Sequence, residues 1–209
     1  MKRSAVRGLL VLLALTVGLG ISTLGLKKPD AYAADLTPAM LAFGPADSSM
    51  EVYVISDWFC PACRVAEPEI LKGAGLAMKQ AKVFFVDFPI YPGTLNYIPY
   101  NLSFMVRDKG KYLQVREALA TLARRTKEPK AEEVQSVVAP LNVKYVPLDF
   151  ADVLEGTQYQ MSVVQKFKVN GTPAVVVTDS KTGKLKLLYG SNEITSENIL
   201  KAMGEVSGK

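Results

Sequence analysis

The chain has 209 residues, 49% of them hydrophobic and 22% charged, which suits a single domain with a sizeable core. It contains two cysteines and no histidine, which excludes a zinc site within one chain and excludes Ser-His-Asp or Cys-His catalysis. The net charge is +5, but residues 1–33 contribute +4 of it, so the charge does not indicate nucleic-acid binding.

The N-terminus has the pattern of an export segment. Lys2, Arg3 and Arg7 precede an uncharged apolar run of 19 residues at 8–26, and residues 31–33 (Ala-Tyr-Ala) match a signal-peptidase site. The apolar run is long for a signal peptide and only just long enough to span a bilayer. We expect residues 1–33 to be either a cleaved signal peptide or an N-terminal membrane anchor. In both cases residues 34–209 are expected outside the cytoplasm, in an oxidising compartment.

A predicted strand and a predicted helix enclose the two cysteines. Residues 51–55 predict a short buried strand, residues 56–58 a turn, and Pro61 the first position of a helix that continues to about residue 79. Cys60 is therefore expected at the helix N-cap, where free backbone amides and the helix dipole lower the pKa of a thiol. Cys63, one turn further, is expected to be more buried and to resolve mixed disulfides that Cys60 forms.

The spacing of the cysteines indicates a redox-active pair. A disulfide between residues 60 and 63 closes almost no loop, so it would restrict the unfolded chain very little. An inert disulfide or a chance pair is the alternative.

The rest of the chain predicts an insertion of helices followed by two strands and a helix. A strand is predicted at 83–90, and three helices follow within about 100–168, near 113–123, 134–141 and 153–167. A hairpin of strands at 174–178 and 185–189, with Gly183 in its turn, comes next, and a helix at 195–203 ends the domain. Residues 34–49 form a lead-in that is too short for a dimerisation domain, and we expect a monomer.

Two distant segments resemble the active-site segments of the thioredoxin superfamily. They are Trp58-Phe59-Cys60-Pro61-Ala62-Cys63, with Pro68 five residues later, and Val169-Asn170-Gly171-Thr172-Pro173-Ala174-Val175. Over about residues 45–205 the chain resembles extracytoplasmic DsbA-type and DsbC-type thiol:disulfide oxidoreductases. The resemblance implies an α/β thioredoxin fold, with a helical subdomain at about 99–168 inserted between the second strand and the strand that follows Pro173.

The resemblance also implies roles for individual residues. Cys60, Cys63 and Pro173 would be catalytic, the Thr172–Pro173 bond would be cis and face the cysteines, and no cofactor or metal would be needed. Without the cysteine motif, residues 171–173 would predict only an ordinary turn. Substrate contacts would come from Thr172, Trp58, Phe59, Pro61 and Ala62.

An aromatic cluster beyond the second strand has two interpretations. Tyr91, Tyr97 and Tyr100 could line a groove for unfolded chains together with the aromatic residues beside Cys60, or could pack in the core.

The chain departs from the family pattern at two places. Thioredoxin and DsbA carry a buried acid six residues before the first cysteine, where this chain has Val54, and typical DsbA has Pro-His between the cysteines, where this chain has Pro61-Ala62. The usual proton acceptor for Cys63 is therefore missing. Asp57 and Asp87 are the nearby candidates, unless they are solvated turn or strand-end residues.

The sequence thus predicts an exported thiol:disulfide oxidoreductase that forms, reduces or isomerises disulfides. Its expected partners are exported unfolded or disulfide-bearing proteins and a membrane redox protein, with no nucleic acid. The direction of exchange stays open, because Thr172 resembles DsbC-type proteins whereas Pro61 and the helical insertion resemble DsbA. A thioredoxin-fold chaperone or a Cu(I)-handling module is the alternative from another class.

Overall fold

The computed structural model describes residues 36–208, so the predicted export segment lies outside the described residues. The strands are β1 Met50–Ser56, β2 Lys82–Asp87, β3 Ala174–Asp179 and β4 Leu185–Tyr189. The α-helices are α1 Pro38–Leu41, α2 Pro61–Ala77, α3 Ile98–Arg107, α4 Tyr112–Ala123, α5 Ala131–Val138, α6 Phe150–Lys166 and α7 Ser196–Ser207. None of these helices combines the length and apolarity needed to cross a bilayer.

The four strands form one mixed sheet in the order β2-β1-β3-β4. β1 and β2 are parallel and are joined by α2, the kind of crossover that parallel strands require. β3 is antiparallel to β1 and to β4. Residues 52–56 and 83–87 are buried, which explains why both strands appear in the sequence as unbroken apolar runs.

Helices cover both faces of the sheet. On one face, the stacked rings of Tyr53 and Phe84 lie 4.8 Å apart, and the Phe167 ring beyond the end of α6 lies 5.0 Å from Tyr53. On the other face α7 packs against α2, β3 and β4. Gly73 permits this packing, because a Cβ there would lie 2.6 Å from Cδ1 of Ile199. The sheet therefore forms the middle layer of three.

The helical insertion lies between β2 and β3 as expected, but two elements differ from the predictions. α3 had no separate prediction, because residues 101–105 are all buried although they include the polar Asn101 and Ser103, so sequence polarity does not mark the buried face of this helix. The second strand ends at Asp87 and not at residue 90. Phe88 still donates its amide to Ser56, but Pro89 has no amide to continue the ladder.

Candidate active site

The loop from β1 to α2 carries Cys60 to the N-terminus of α2. Cys60 is the N-cap residue, with an extended backbone (φ −70°, ψ 122°), and Pro61 opens the helix. Both cysteines are free thiols, with Cys60 7% exposed and Cys63 2% exposed. The predicted N-cap position of Cys60 and the deeper burial of Cys63 are confirmed.

The Asp57 carboxylate fixes the conformation of this loop through hydrogen bonds. Its carboxylate, 1% exposed, accepts hydrogen bonds from the amides of Phe59 (2.7 Å), Cys60 (3.2 Å) and Tyr91 (2.8 Å) and from the Thr94 hydroxyl (2.8 Å). The expectation of a solvated turn residue is wrong for Asp57. The two bonds to residues 59 and 60 form an Asx-type turn, a local signal that the sequence does contain.

The segment around Pro173 faces the cysteines, although it lies more than a hundred residues away in the chain. The Thr172–Pro173 peptide bond is cis, Pro173 is buried, and the Cys60 thiol donates to the Thr172 carbonyl oxygen at 3.4 Å. The structure thus brings the two sequence motifs together, as the resemblance implied.

The environment of Cys60 favours its thiolate. Burial raises the pKa of Cys60, but the Thr172 side-chain hydroxyl and the backbone amides of Cys63 and Ala62 outweigh burial and bring the pKa below its ordinary value. These amides belong to the first turn of α2, which has no other backbone partners for them. Cys60 is therefore the sulfur that can attack or be attacked near neutral pH.

The environment of Cys63 favours its thiol. Burial raises the pKa of Cys63 to about 12, and the nearby Thr172 hydroxyl and the Asp57 amide, which lies 3.4 Å from the sulfur, offset only part of this effect. Cys63 therefore needs a proton acceptor before it can react.

The predicted substrate contacts divide into buried and exposed residues. Pro61 is exposed and Ala62 is half-buried. Trp58 and Phe59 are only 6% and 8% exposed, because they pack under the helical insertion, so the groove predicted from these two residues needs correction. They support the loop from within and offer a substrate little surface.

The apolar surface beside the loop comes from the segment after β2. Ile90, Tyr91 and Leu95 are 46%, 44% and 54% exposed. Tyr97 is fully buried and its ring lies 5.5 Å from that of Trp58, so the core interpretation is correct for Tyr97. Tyr100 is half-buried, and its ring lies 5.0 Å from that of Tyr145 at an angle of 52°.

A buried charged cluster under the cysteines was not predicted. Arg116 of α4, 2% exposed, pairs with Glu67 of α2 (Nε to Oε1, 2.7 Å) and faces Asp87 (Nη1 to Oδ1, 3.9 Å). Its guanidinium also lies 4.7 Å from the centre of the Trp58 ring. The sequence signal was weak: Arg116 occupies an apolar position of the α4 period, next to the buried Val115 and one turn before Leu119.

Asp87 lies at the end of β2, completely buried. Burial raises the pKa of Asp87 to about 6, although the Arg116 charge and a 2.8 Å hydrogen bond from the Asn101 amide lower it. The expectation of a solvated strand-end residue is therefore wrong here too.

Val54, which occupies the position of the family's acid, is buried in β1 between Phe85 and Val175. Within residues 36–208, no three His, Cys, Asp or Glu side chains are grouped to hold a metal ion.

Solved structures with similar folds were found at low sequence identity. A periplasmic thioredoxin-like protein from Salmonella enterica serovar Typhimurium matches with a TM-score of 0.62 and 16% identity, covering 83% of this chain and 92% of that one. The catalytic domain of Proteus mirabilis ScsC matches with a TM-score of 0.59 and 18% identity, covering 80% and 89%. Pseudomonas aeruginosa DsbA2 matches with a TM-score of 0.58 and 12% identity, and the match covers 81% of this chain and 95% of that one.

These similarities, together with the sheet order and the Thr172–Pro173 segment, identify a thioredoxin fold. The resemblance to periplasmic thioredoxin-like and DsbA-type proteins is thereby confirmed at the level of the fold. A scan of family models and a search of curated proteins gave no match.

Proposed function

We propose that the protein is a thiol:disulfide oxidoreductase that uses Cys60 and Cys63 as its redox couple. The observation that carries the proposal is the pairing of unequal thiols: Cys60 lies at a helix N-terminus with a lowered pKa, and Cys63 lies one turn deeper with a raised pKa. Unequal thiols suit a stepwise exchange, in which one sulfur reacts with the substrate and the other ends the reaction.

In the reductive direction the Cys60 thiolate attacks one sulfur of a substrate disulfide and releases the other as a thiolate. Cys63 then loses its proton and attacks Cys60, so that the Cys60–Cys63 bond forms, the mixed disulfide breaks and the second substrate thiolate leaves. The cysteine pair is oxidised by two electrons and the substrate disulfide is reduced by two. The oxidative direction is the same sequence in reverse.

The surroundings of the loop support extended protein chains as substrates. The Thr172 carbonyl oxygen lies 3.4 Å from the Cys60 sulfur, where the backbone of an extended chain could pair with it. The exposed side chains of Ile90, Tyr91 and Leu95 supply apolar surface next to the same loop. We assign Pro61, Ala62 and Thr172 to this contact surface as well, and Pro173 to a catalytic position facing the sulfurs.

The proposed site of action is outside the cytoplasm, with exported proteins as substrates and a membrane redox protein as a partner that restores the couple. The basic and apolar pattern of residues 1–33 supports export, and the similar Salmonella protein is described as periplasmic. The tethered or cleaved form of the chain would act in the same compartment.

The proposal is tested by mixing the reduced full-length chain with a peptide cyclised by one disulfide. We expect the peptide to be reduced while one Cys60–Cys63 disulfide forms per chain, which mass spectrometry detects as the loss of two hydrogen atoms from the protein. The same chain with both thiols alkylated beforehand is the control and should not react. A chain that neither reduces the cyclised peptide nor, once its own cysteines are oxidised, oxidises the reduced peptide would contradict the proposal.

A further inference from the structure

A cavity of about 20 Å³ lies behind Cys63, between α2 and α4. This volume is enough for about one water molecule, which needs roughly 10 to 15 Å³ on the same measure. Cys63 forms part of its wall, and so do Glu67 and Arg116. Because residues 63 and 67 are four apart on α2, both side chains lie on the same face of the helix.

The wall of the cavity is polar enough to hold a water molecule. The Trp58 indole N–H is buried and has no acceptor among the described residues, and Trp58 also lines the cavity. The Glu67 carboxylate supplies an acceptor and the Cys63 thiol a donor. Together with the Trp58 N–H, the cavity wall thus offers a water molecule three hydrogen-bonding groups. Buried waters typically make about three such bonds.

We propose that this cavity is the proton path of Cys63, with Glu67 as the group that takes the proton through one water molecule. The inference rests on the proposed thiol-disulfide exchange and names the acceptor that the exchange requires. Val54 occupies the β1 position where the family has its buried acid. In this chain the proposed acceptor lies instead on α2, one turn beyond the resolving cysteine.

Of the three carboxyl groups near the site, Glu67 is the one that both lines the cavity and is partly exposed. The Asp57 carboxylate accepts four hydrogen bonds that hold the loop, and a proton on it would disrupt them. Asp87 is not part of the cavity wall and accepts from Asn101. Glu67 is the remaining carboxylate of the wall, and its side chain is 13% exposed, which provides an exit for the proton to solvent.

Three arginine side chains surround the Glu67 carboxylate. Arg116 of α4 faces both Glu67 and Asp87, so it keeps one anionic partner when Glu67 becomes neutral. Arg64 of α2 and Arg124, after α4, also line the cavity. We assign Arg116 a positioning role, because it holds the Glu67 carboxylate at 2.7 Å and makes no hydrogen bond to either Cys60 or Cys63.

Resolution moves one proton and exchanges one disulfide bond for another. The Cys63 proton passes to the water, and a proton of the water passes to Glu67, while the Cys63 sulfur bonds to Cys60 and the mixed disulfide releases the substrate as a thiolate. One sulfur of the enzyme is oxidised and one substrate sulfur is reduced. In the reverse direction Glu67 returns the proton to Cys63 as the Cys60–Cys63 bond opens.

The test separates formation of the mixed disulfide from its resolution, using oxidised glutathione as the probe. Acid quenching and mass spectrometry follow the Cys60–glutathione adduct in the parent and in Glu67→Gln. We expect adduct formation to be unchanged and adduct resolution to slow by roughly 10²-fold, the lower end of the range for a positioned general base. The resolution rate of Glu67→Gln should rise about tenfold per pH unit near neutrality, because hydroxide must then remove the proton, whereas the parent should show a nearly flat profile.

The matched control is Glu117→Gln, the same change at an exposed site next to Arg116. It should resolve the adduct at the parent rate. If Glu67→Gln does not fold, the parent profile alone decides: a tenfold rise per pH unit in the parent overturns the inference. Equal resolution rates and profiles in the parent and Glu67→Gln also overturn it, while leaving the exchange reaction intact. A parent that forms neither the glutathione adduct nor the Cys60–Cys63 disulfide contradicts the proposed function itself.

Discussion

The Cys63→Ala variant should stay covalently joined to its substrates through Cys60. The first exchange step needs only Cys60, which remains at the N-terminus of α2, but the second step needs a thiol next to the mixed disulfide. Only an external thiol could then release the substrate. Because well-placed intramolecular groups act at effective concentrations far above the millimolar range, the mixed disulfide should live about 10³-fold longer or more than in the parent.

The measurement is a non-reducing gel after the full-length variant meets a protein that carries one disulfide. We expect a covalent complex that disappears on addition of reductant. Cys60→Ala is the matched variant and should trap almost nothing, because Cys63 is buried and its pKa is about 12. A Cu(I)-binding module or a chaperone predicts no such asymmetry, so equal trapping by the two variants would favour those classes.

The Asp57→Ala variant should lose a large part of the protein's stability. The carboxylate accepts hydrogen bonds from three amides and one hydroxyl, and the alanine leaves these buried donors without their acceptor. At about 1 to 3 kcal/mol for each buried group left unpaired, and with partial rearrangement of the loop, we expect the free energy of unfolding to fall by about 3 to 5 kcal/mol. Urea unfolding of the reduced chain measures the change.

Asp47→Ala is the control for this prediction, since Asp47 is exposed in the lead-in. It should change the free energy of unfolding by no more than about 0.5 kcal/mol. The alkylation rate of Cys60 provides a second reading: release of the loop in Asp57→Ala should move Cys60 away from the α2 amides and slow its reaction near neutral pH. A variant with parent stability and parent Cys60 reactivity would mean that Asp57 does not hold the loop.

The strand-loop-helix unit around the cysteines was predictable because its signals are local. An apolar strand, a turn, and proline directly after Cys60 define the N-cap within a dozen residues. The hairpin of β3 and β4 was predictable for the same reason, with Gly183 adopting a positive φ of 70° between the strands. The meeting of Thr172 with Cys60 was implied by resemblance, since no spacing rule joins residues 112 positions apart.

The support beneath the site was not predictable, because it depends on tertiary contacts. Asp57 seemed a turn residue until the structure placed Tyr91 and Thr94, more than 30 residues later, against its carboxylate. Arg116 had no prediction, because its partners lie on α2 and β2 and are not neighbours in the sequence. Trp58 looked like a surface aromatic of the motif, but the helical insertion buries it. Each of these residues depends on where the insertion lies, which local patterns do not specify.

The most direct test of the central claim, that Cys60 attacks and Cys63 resolves, is the rate of alkylation of each cysteine as a function of pH in the reduced full-length chain. The lowered pKa of Cys60 means that its thiolate persists to lower pH than that of a free cysteine, so its rate should level off below the ordinary thiol range. Cys63, with a pKa of about 12, should stay nearly unreactive until strongly alkaline pH. We predict that peptide mapping finds the label almost entirely on Cys60 between pH 6 and 8. Equal labelling of both cysteines, or a Cys60 midpoint equal to that of free cysteine, would contradict the account.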